Sequence, residues 1–258
     1  MNEFQRLMAV EAAVKREMAK QDKAHDWFHI DRVRKMALKL QAIEGGDPHL
    51  IEMVALVHDV GDRKAHESEE AGRKATHSLL EKCGVGPRFA SVVVDIAHRI
   101  SFKGFHVPDD MPSLEGKIVQ DADRLDAVGA IAIARTFTWG GAHDRPMYDP
   151  NMPPTPAKTA EEYYASGGAT SVNHFHEKLL HLTDRMHTKT ARALASERTE
   201  FMREYLERFM SEWNLSEDWE ARVRLELHER SEDRRSYFDA KRKYIEEARA
   251  FINKGHKS

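Results

Sequence analysis

The sequence predicts an all-α protein. Three observations carry that reading: apolar residues recur at three- and four-residue spacing along most of the chain, strand-like alternation is scarce, and helix start and stop residues punctuate the apolar runs. The pattern begins with Phe4, Leu7, Met8, Ala12, Val14 and Met18, and resumes with Val33, Met36, Ala37 and Leu40. Asp47-Pro48 reads as an N-cap with proline at the first helical position, where its missing N–H costs nothing. The run it opens, through Ile51, Val54 and Ala55, closes on His58-Asp59. Gly84 stops a helix containing Leu79, Leu80 and Cys83, and Pro87 opens another through Val92, Val93, Ile96 and Ala97 to His98.

From Lys117 to Phe137 the chain is apolar and Ala-rich, which predicts one helix at the centre of a bundle. Asp121, Asp123 and Asp126 within it are hard to explain as surface residues. A proline- and glycine-rich stretch from Trp139 to Ala160 reads as a long loop, and loops of that length in a compact domain tend to be functional; Gly140-Gly141 reads as its hinge. Helical spacing returns with Phe175, Leu179, Leu180 and Leu182, then Phe201, Tyr205, Leu206, Phe209 and Met210; Ser216, Trp219 and Leu225 suggest a short further helix. We therefore expect a single helical bundle over 1–258, with a core at about 20–137, a loop at 139–160 and a helical C-terminal part at 171–258.

The composition narrows the function classes. With 258 residues, 41% hydrophobic and 32% charged, the chain can bury a sizeable core. No long apolar run and no signal or transit pattern is present, which predicts a cytoplasmic protein with no membrane partner. Forty Lys and Arg against 43 Asp and Glu offer no general attraction to a nucleic-acid polymer. A single cysteine, Cys83, rules out an intramolecular disulfide and thiolate metal chemistry, and reads as a small packed residue near a helix end. Any metal site must use nitrogen and oxygen ligands.

Such ligands occur in three separate places: His25-Asp26-Trp27-Phe28-His29, His58-Asp59, and Asp121-Ala122-Asp123-Arg124-Leu125-Asp126. His25 and His29 share a helical face, although alone they read as polar residues at a helix start. His58-Asp59 is different, because it follows the apolar run Val54-Ala55-Leu56-Val57, where charge is costly unless paired or metal-bound. Asp123 shows the same anomaly. A metal-free Asp–His–Arg network is the structural alternative; a divalent cation held by imidazoles and carboxylates explains the conjunction better.

These residues resemble the HD superfamily of metal-dependent phosphohydrolases, marked by a His, a His-Asp doublet and a later Asp. His29 with Arg32-Val33 matches the first position, His58-Asp59 the doublet and Asp123 the last. The longer blocks His58-Asp59-Val60-Gly61-Asp62-Arg63-Lys64, Ser101-Phe102-Lys103-Gly104, Glu115 to Asp123 and Arg145-Pro146-Met147-Tyr148-Asp149-Pro150 resemble a bacterial stand-alone branch. That branch includes nucleoside-triphosphate pyrophosphohydrolases working with manganese. The resemblance implies an HD helical bundle with added C-terminal helices, and metal ligands His29, His58, Asp59 and Asp123. It also implies a divalent ion, Mn2+ ahead of Mg2+, Co2+, Ni2+ or Fe2+. Families with a second metal add histidines after the doublet; here Asp62 stands three positions on, with His66, His77 and His98 further downstream, which favours one ion.

Around such an ion, Arg32, Lys64 and Lys103 are the nearest candidates in sequence for phosphate contacts, with Arg124 and Arg145 weighed evenly against surface roles. Asp62, Asp126 and Asp26 are candidates for handling a proton or substrate hydroxyls, and Tyr148 for reaching substrate. The expected reaction is hydrolysis of a nucleotide, most specifically of a (deoxy)nucleoside triphosphate to monophosphate and pyrophosphate. A nucleoside 5'-monophosphatase or phosphodiesterase, and a non-catalytic nucleotide-sensing module with a structural metal, are the alternatives. A homodimer stays open.

Overall fold

The computed structural model describes residues 1–19, 26–61, 66–100, 109–155 and 170–215, and among these every regular element is helical. In chain order they are α1 (Glu3–Met18), α2 (Trp27–Glu44), α3 (Pro48–Val57), α4 (Glu69–Lys82), α5 (Pro87–Ile100), α6 (Leu114–Asp126), α7 (Ala130–Ala142), α8 (Ser171–Glu177), a 3₁₀ segment (Leu179–Arg185) and α9 (Lys189–Asn214). The chain divides into two compact units, Met1–Glu204 and Tyr205–Ser258. Of the second, residues 205–215 are described, with Arg208 paired to Glu212 one turn on. None of the described helices is long and apolar enough to cross a membrane.

The helix boundaries follow local chemistry. Asn2 and Gln5 form a reciprocal capping box at α1. The Asp47 carboxylate accepts the His49 and Leu50 backbone N–H groups ahead of Pro48, and Ser68 and Ser113 cap α4 and α6 in the same way. Gly84 takes a left-handed φ of +76° just beyond α4, satisfying the stop expected there. On α1 the buried stripe is Leu7, Val10, Val14 and Met18, while Phe4 and Met8 are exposed.

α2 packs chiefly against α6 and α3, and α5 closes over α3. The core there is built from Ile30, Val33, Ala37 and Leu40 of α2, Ile51 and Val54 to Val57 of α3, and Ile118, Val119, Ala122 and Leu125 of α6. Cys83 is buried at the end of α4, and burial pushes its thiol pKa up.

The long central helix expected from Lys117 to Phe137 is two helices. Gly129, at φ +90°, breaks it, and a Cβ there would press on the Arg198 side chain, so the turn requires glycine. The break turns Ile131, an apolar residue of the predicted buried run, to 49% exposure. α7 then continues through Trp139, Gly140 and Gly141, so irregular backbone starts only at His143. Gly140 is a contact glycine packed beneath the Ser171 hydroxyl. The segment that follows is tied to α8 and the residues around it: Ser171 and Val172 donate to the Pro146 and Met147 carbonyls, and Asn173 Nδ2 donates to Met152 O at 2.7 Å.

Arg124 is only 4% exposed and is spent structurally, pairing through Nη2 with Asp109 Oδ1 at 2.7 Å and donating to the Arg185 carbonyl. Arg185 binds the same carboxylate. Burial pushes the Asp109 carboxyl up, but the two arginines outweigh it and hold it below the usual range. Its contribution is therefore complete at neutral pH and is lost as pH falls below about 4. Asp109→Asn is expected to cost about 2 kcal/mol at pH 7. Thermal melts from pH 7 to pH 3 check this: the gap to the parent should narrow below pH 4, and a constant gap would rule the ion cluster out as its cause.

Candidate metal centre

The site stands where three helix segments meet. His29 lies in the first turn of α2, whose N-cap Asp26 accepts the His29 backbone N–H at 3.1 Å. His58 and Asp59 occupy the turn leaving α3, and Asp123 projects from α6. That turn is fixed from behind, because Gly61 and Gly72 approach so closely that a Cβ on Gly72 would collide with the Gly61 carbonyl oxygen. Sequence spacing alone does not reveal this contact.

Both imidazoles are oriented by the same device. His58 Nδ1 donates to the Ala55 carbonyl at 2.8 Å, and His29 Nδ1 donates to Asp126 Oδ2 at 2.7 Å, so each ring turns its Nε2 toward Asp59 and Asp123. His29 Nε2 lies 3.3 Å from Asp59 Oδ2 and 3.4 Å from Asp123 Oδ1. His58 Nε2 lies 3.5 Å from Asp59 Oδ1 and 3.8 Å from Asp123 Oδ1. The imidazoles form a buried floor, whereas the Asp59 and Asp123 side chains are 16% and 29% exposed and form the open rim.

Ligand atoms of His29, His58 and Asp59 all lie within 4.8 Å of one another, the spacing that one shared ion requires. Among the described residues, His58 Nε2 is buried without a hydrogen-bond partner, a state that costs free energy unless something else engages the lone pair. Two imidazole nitrogens beside two carboxylates suit a borderline or hard divalent cation. The donor set fits a metal.

The electrostatics agree with the geometry. Burial pushes the His29 imidazole down, but its contacts with Asp123, Asp126 and Asp59 outweigh burial and hold it well above the ordinary range, so a proton and a cation compete for the same nitrogen. Burial pushes the Asp123 carboxyl up, while His29 and His58 hold it below its usual value. Asp126 also stays well below that range despite burial, because His29, Arg32 and Arg135 surround it.

A family model of the HD domain matches residues 27–128. YpgQ of Bacillus subtilis is 35% identical over 207 residues, which span 80% of this chain and 93% of YpgQ. The crystal structure of an HD-superfamily hydrolase from Bacillus thuringiensis is 43% identical, with a TM-score of 0.63 over 83% of this chain and all of that one. The crystal structure of B. subtilis YpgQ in complex with ADP is 34% identical, also with a TM-score of 0.63, over 82% of this chain and 97% of that one. The chain belongs to the HD superfamily. HD domains bind divalent metals, and this one brings His29, His58 and Asp59 together as a possible metal site inside the matched region, with Asp123 Oδ1 3.4 Å from His29 Nε2.

The HD chain places its other expected site residues variously. Asp126 and Arg32 stand directly behind His29: Arg32 grips both Asp126 oxygens, Nε to Oδ1 at 2.7 Å and Nη2 to Oδ2 at 2.9 Å. Asp26 is the α2 cap. Arg145 lies over the Trp139 ring, its guanidinium carbon 4.6 Å from the centroid, and Tyr148 is half-buried in the segment after α7. Asp62, Lys64 and Lys103, like His25, lie outside the described residues. His66 Nε2 meets the Val60 carbonyl at 2.9 Å, and His77 and His98 pair with Glu81 and Glu69.

One residue of the site escapes the sequence reading. Arg135 of α7 donates from Nη1 to Asp126 Oδ2 at 2.7 Å. The available signal was the one that singled out Asp123: a charge inside an apolar run, here Ala130-Ile131-Ala132-Ile133-Ala134.

Proposed function

We propose that this HD protein is a metal-dependent phosphohydrolase acting on nucleotides. The observation that carries the proposal is the convergence of two oriented imidazole Nε2 atoms, one of them buried without a hydrogen-bond partner, with two rim carboxylates. A divalent cation bound there lowers the pKa of water and neutralises charge on a phosphoryl oxygen. His29, His58, Asp59 and Asp123 are its holders. Among the described residues the imidazoles are buried while the Asp59 and Asp123 side chains are partly exposed, so the approach proposed for substrate is over these two carboxylates.

Asp126 serves best as the anchor of the His29 tautomer, since both its oxygens are engaged by His29, Arg32 and Arg135. Handling of the water proton then falls to Asp62, and phosphate contacts to Lys64 and Lys103, with Arg145 and Tyr148 toward the nucleotide's far end. Nucleotide as the substrate class is supported by the ADP complex of the related YpgQ. The specific reaction proposed is hydrolysis of a (deoxy)nucleoside triphosphate to monophosphate and pyrophosphate, with one manganese ion, following the resemblance of the blocks around the ligands to that branch.

The test is incubation of metal-stripped, manganese-reloaded protein with a panel of nucleoside mono-, di- and triphosphates and cyclic dinucleotides, separating phosphate from pyrophosphate. Pyrophosphate from triphosphates alone is the expected result. Phosphate from monophosphates would instead identify a nucleotidase, and no turnover of any member with metal bound would identify a sensing module.

A further inference from the structure

Asp126 carries more charged partners than a histidine anchor needs. Its Oδ2 accepts His29 Nδ1–H at 2.7 Å, Arg32 Nη2 at 2.9 Å and Arg135 Nη1 at 2.7 Å, while Oδ1 takes Arg32 Nε. Arg32 sits one turn beyond His29 on the same helix and moves with it. Arg135 comes from α7, and the HD match ends at residue 128, so this contact is made from outside the matched domain. The left-handed turn at Gly129 is what redirects the chain to bring Arg135 back to α2.

We propose that Arg135 is a positioning residue that completes the metal centre from beyond the HD domain, fixing the Asp126 carboxylate and through it the His29 ring. The inference rests on the metal reading above. Arg32 and His29 both belong to α2, so without Arg135 the Asp126 carboxylate at the end of α6 ties α6 to α2 alone. Arg135 adds a tie to a third helix, so the His29 Nε2 direction is held relative to α7 as well as α6. Its guanidinium nitrogen also stands 3.2 Å from His29 Nδ1. Partners of this kind behind a metal ligand carry about 10–100-fold in metal affinity.

The experiment is titration of full-length protein with Mn2+, following free Mn2+ by electron paramagnetic resonance, for the parent, Arg135→Ala and Arg135→Lys, with a thermal melt of each in chelator. Arg135→Ala is expected to weaken Mn2+ binding about 10–100-fold, and Arg135→Lys, which keeps the charge but loses the fork, to fall between it and the parent. Unchanged Mn2+ affinity in Arg135→Ala overturns the proposal, as does a lowered melting point with affinity intact, since that marks a purely structural pair. Should Arg135→Ala not fold, Arg135→Gln takes its place under the same criteria. A parent that fails to bind Mn2+ overturns the metal reading itself, a result distinct from either.

Discussion

Asp59→Asn and His58→Ala are each expected to remove metal from the protein and to lower turnover by about a thousand-fold or more, equivalent to the several kcal/mol that a bound cation supplies to a phosphoryl transition state. The two substitutions act on different parts of the site. Asn keeps the shape of Asp59 but removes the negative charge standing 3.3 Å from His29 Nε2 and 3.5 Å from His58 Nε2, so the cluster loses one of the two anions that offset a dication. Alanine at 58 deletes the nitrogen that stands buried without a hydrogen-bond partner, and opens a gap in the floor of the site. Both residues lie on the turn after α3, pinned by the Gly61–Gly72 approach, so the backbone around them should persist. Elemental analysis of purified protein, circular dichroism and nucleotide hydrolysis measure metal, fold and turnover separately. A folded Asp59→Asn protein that retains metal and activity would remove Asp59 from the ligand set.

The largest stability loss is expected at Asp121, two residues before Asp123 yet with a different task. The side chain is fully buried; Oδ1 accepts the His187 backbone N–H at 2.8 Å, and Oδ2 accepts both the backbone N–H and the hydroxyl of Thr188 at 2.8 Å. Thr188 Oγ1 in turn accepts Ala191 N–H at 3.2 Å, so the α6 carboxylate anchors the start of α9. Alanine leaves three donors without an acceptor in a dry environment. At about 1–3 kcal/mol per unsatisfied group, reduced by local relaxation, the cost is about 3–5 kcal/mol, or about 10–15 °C in melting temperature. Asp121→Asn keeps one acceptor oxygen and should lose about half as much. Thermal melts decide the matter: a shift under about 2 °C for Asp121→Ala would show that the 186–188 segment is held by other contacts.

The three aspartates of α6 mark the boundary between sequence and fold. All three stand out in sequence for one reason, carboxylates in an apolar helix, and the HD pattern then separates Asp123 from its neighbours. Nothing local separates Asp121 from Asp126. Their roles come from partners far along the chain: His187 and Thr188 for one, and His29, 97 residues away, for the other.

What the sequence by itself determined is the helical class, the capped starts at Asp47-Pro48, the stop at Gly84, and the HD pattern of His29, His58, Asp59 and Asp123. Each depends on spacing within one or two helical turns or on short motifs, and such interactions are local enough to be written in neighbouring residues. Tertiary structure alone decided the break at Gly129, the extension of α7 through Gly140-Gly141, the use of Arg124 as a buried structural cation, and the arrival of Arg135 behind His29. The physical reason is the same in each case. Gly129 is a break because its backbone turns to φ +90° with the Arg198 side chain packed 3.1 Å from where a Cβ would stand, Gly140 is a contact because Ser171 lies against it, and Arg135 reaches Asp126 because the turn at Gly129 aims α7 back toward α2. These are properties of pairs brought together by packing, and a residue's neighbours in sequence can mark it as unusual, as they do Arg135, without naming its partner.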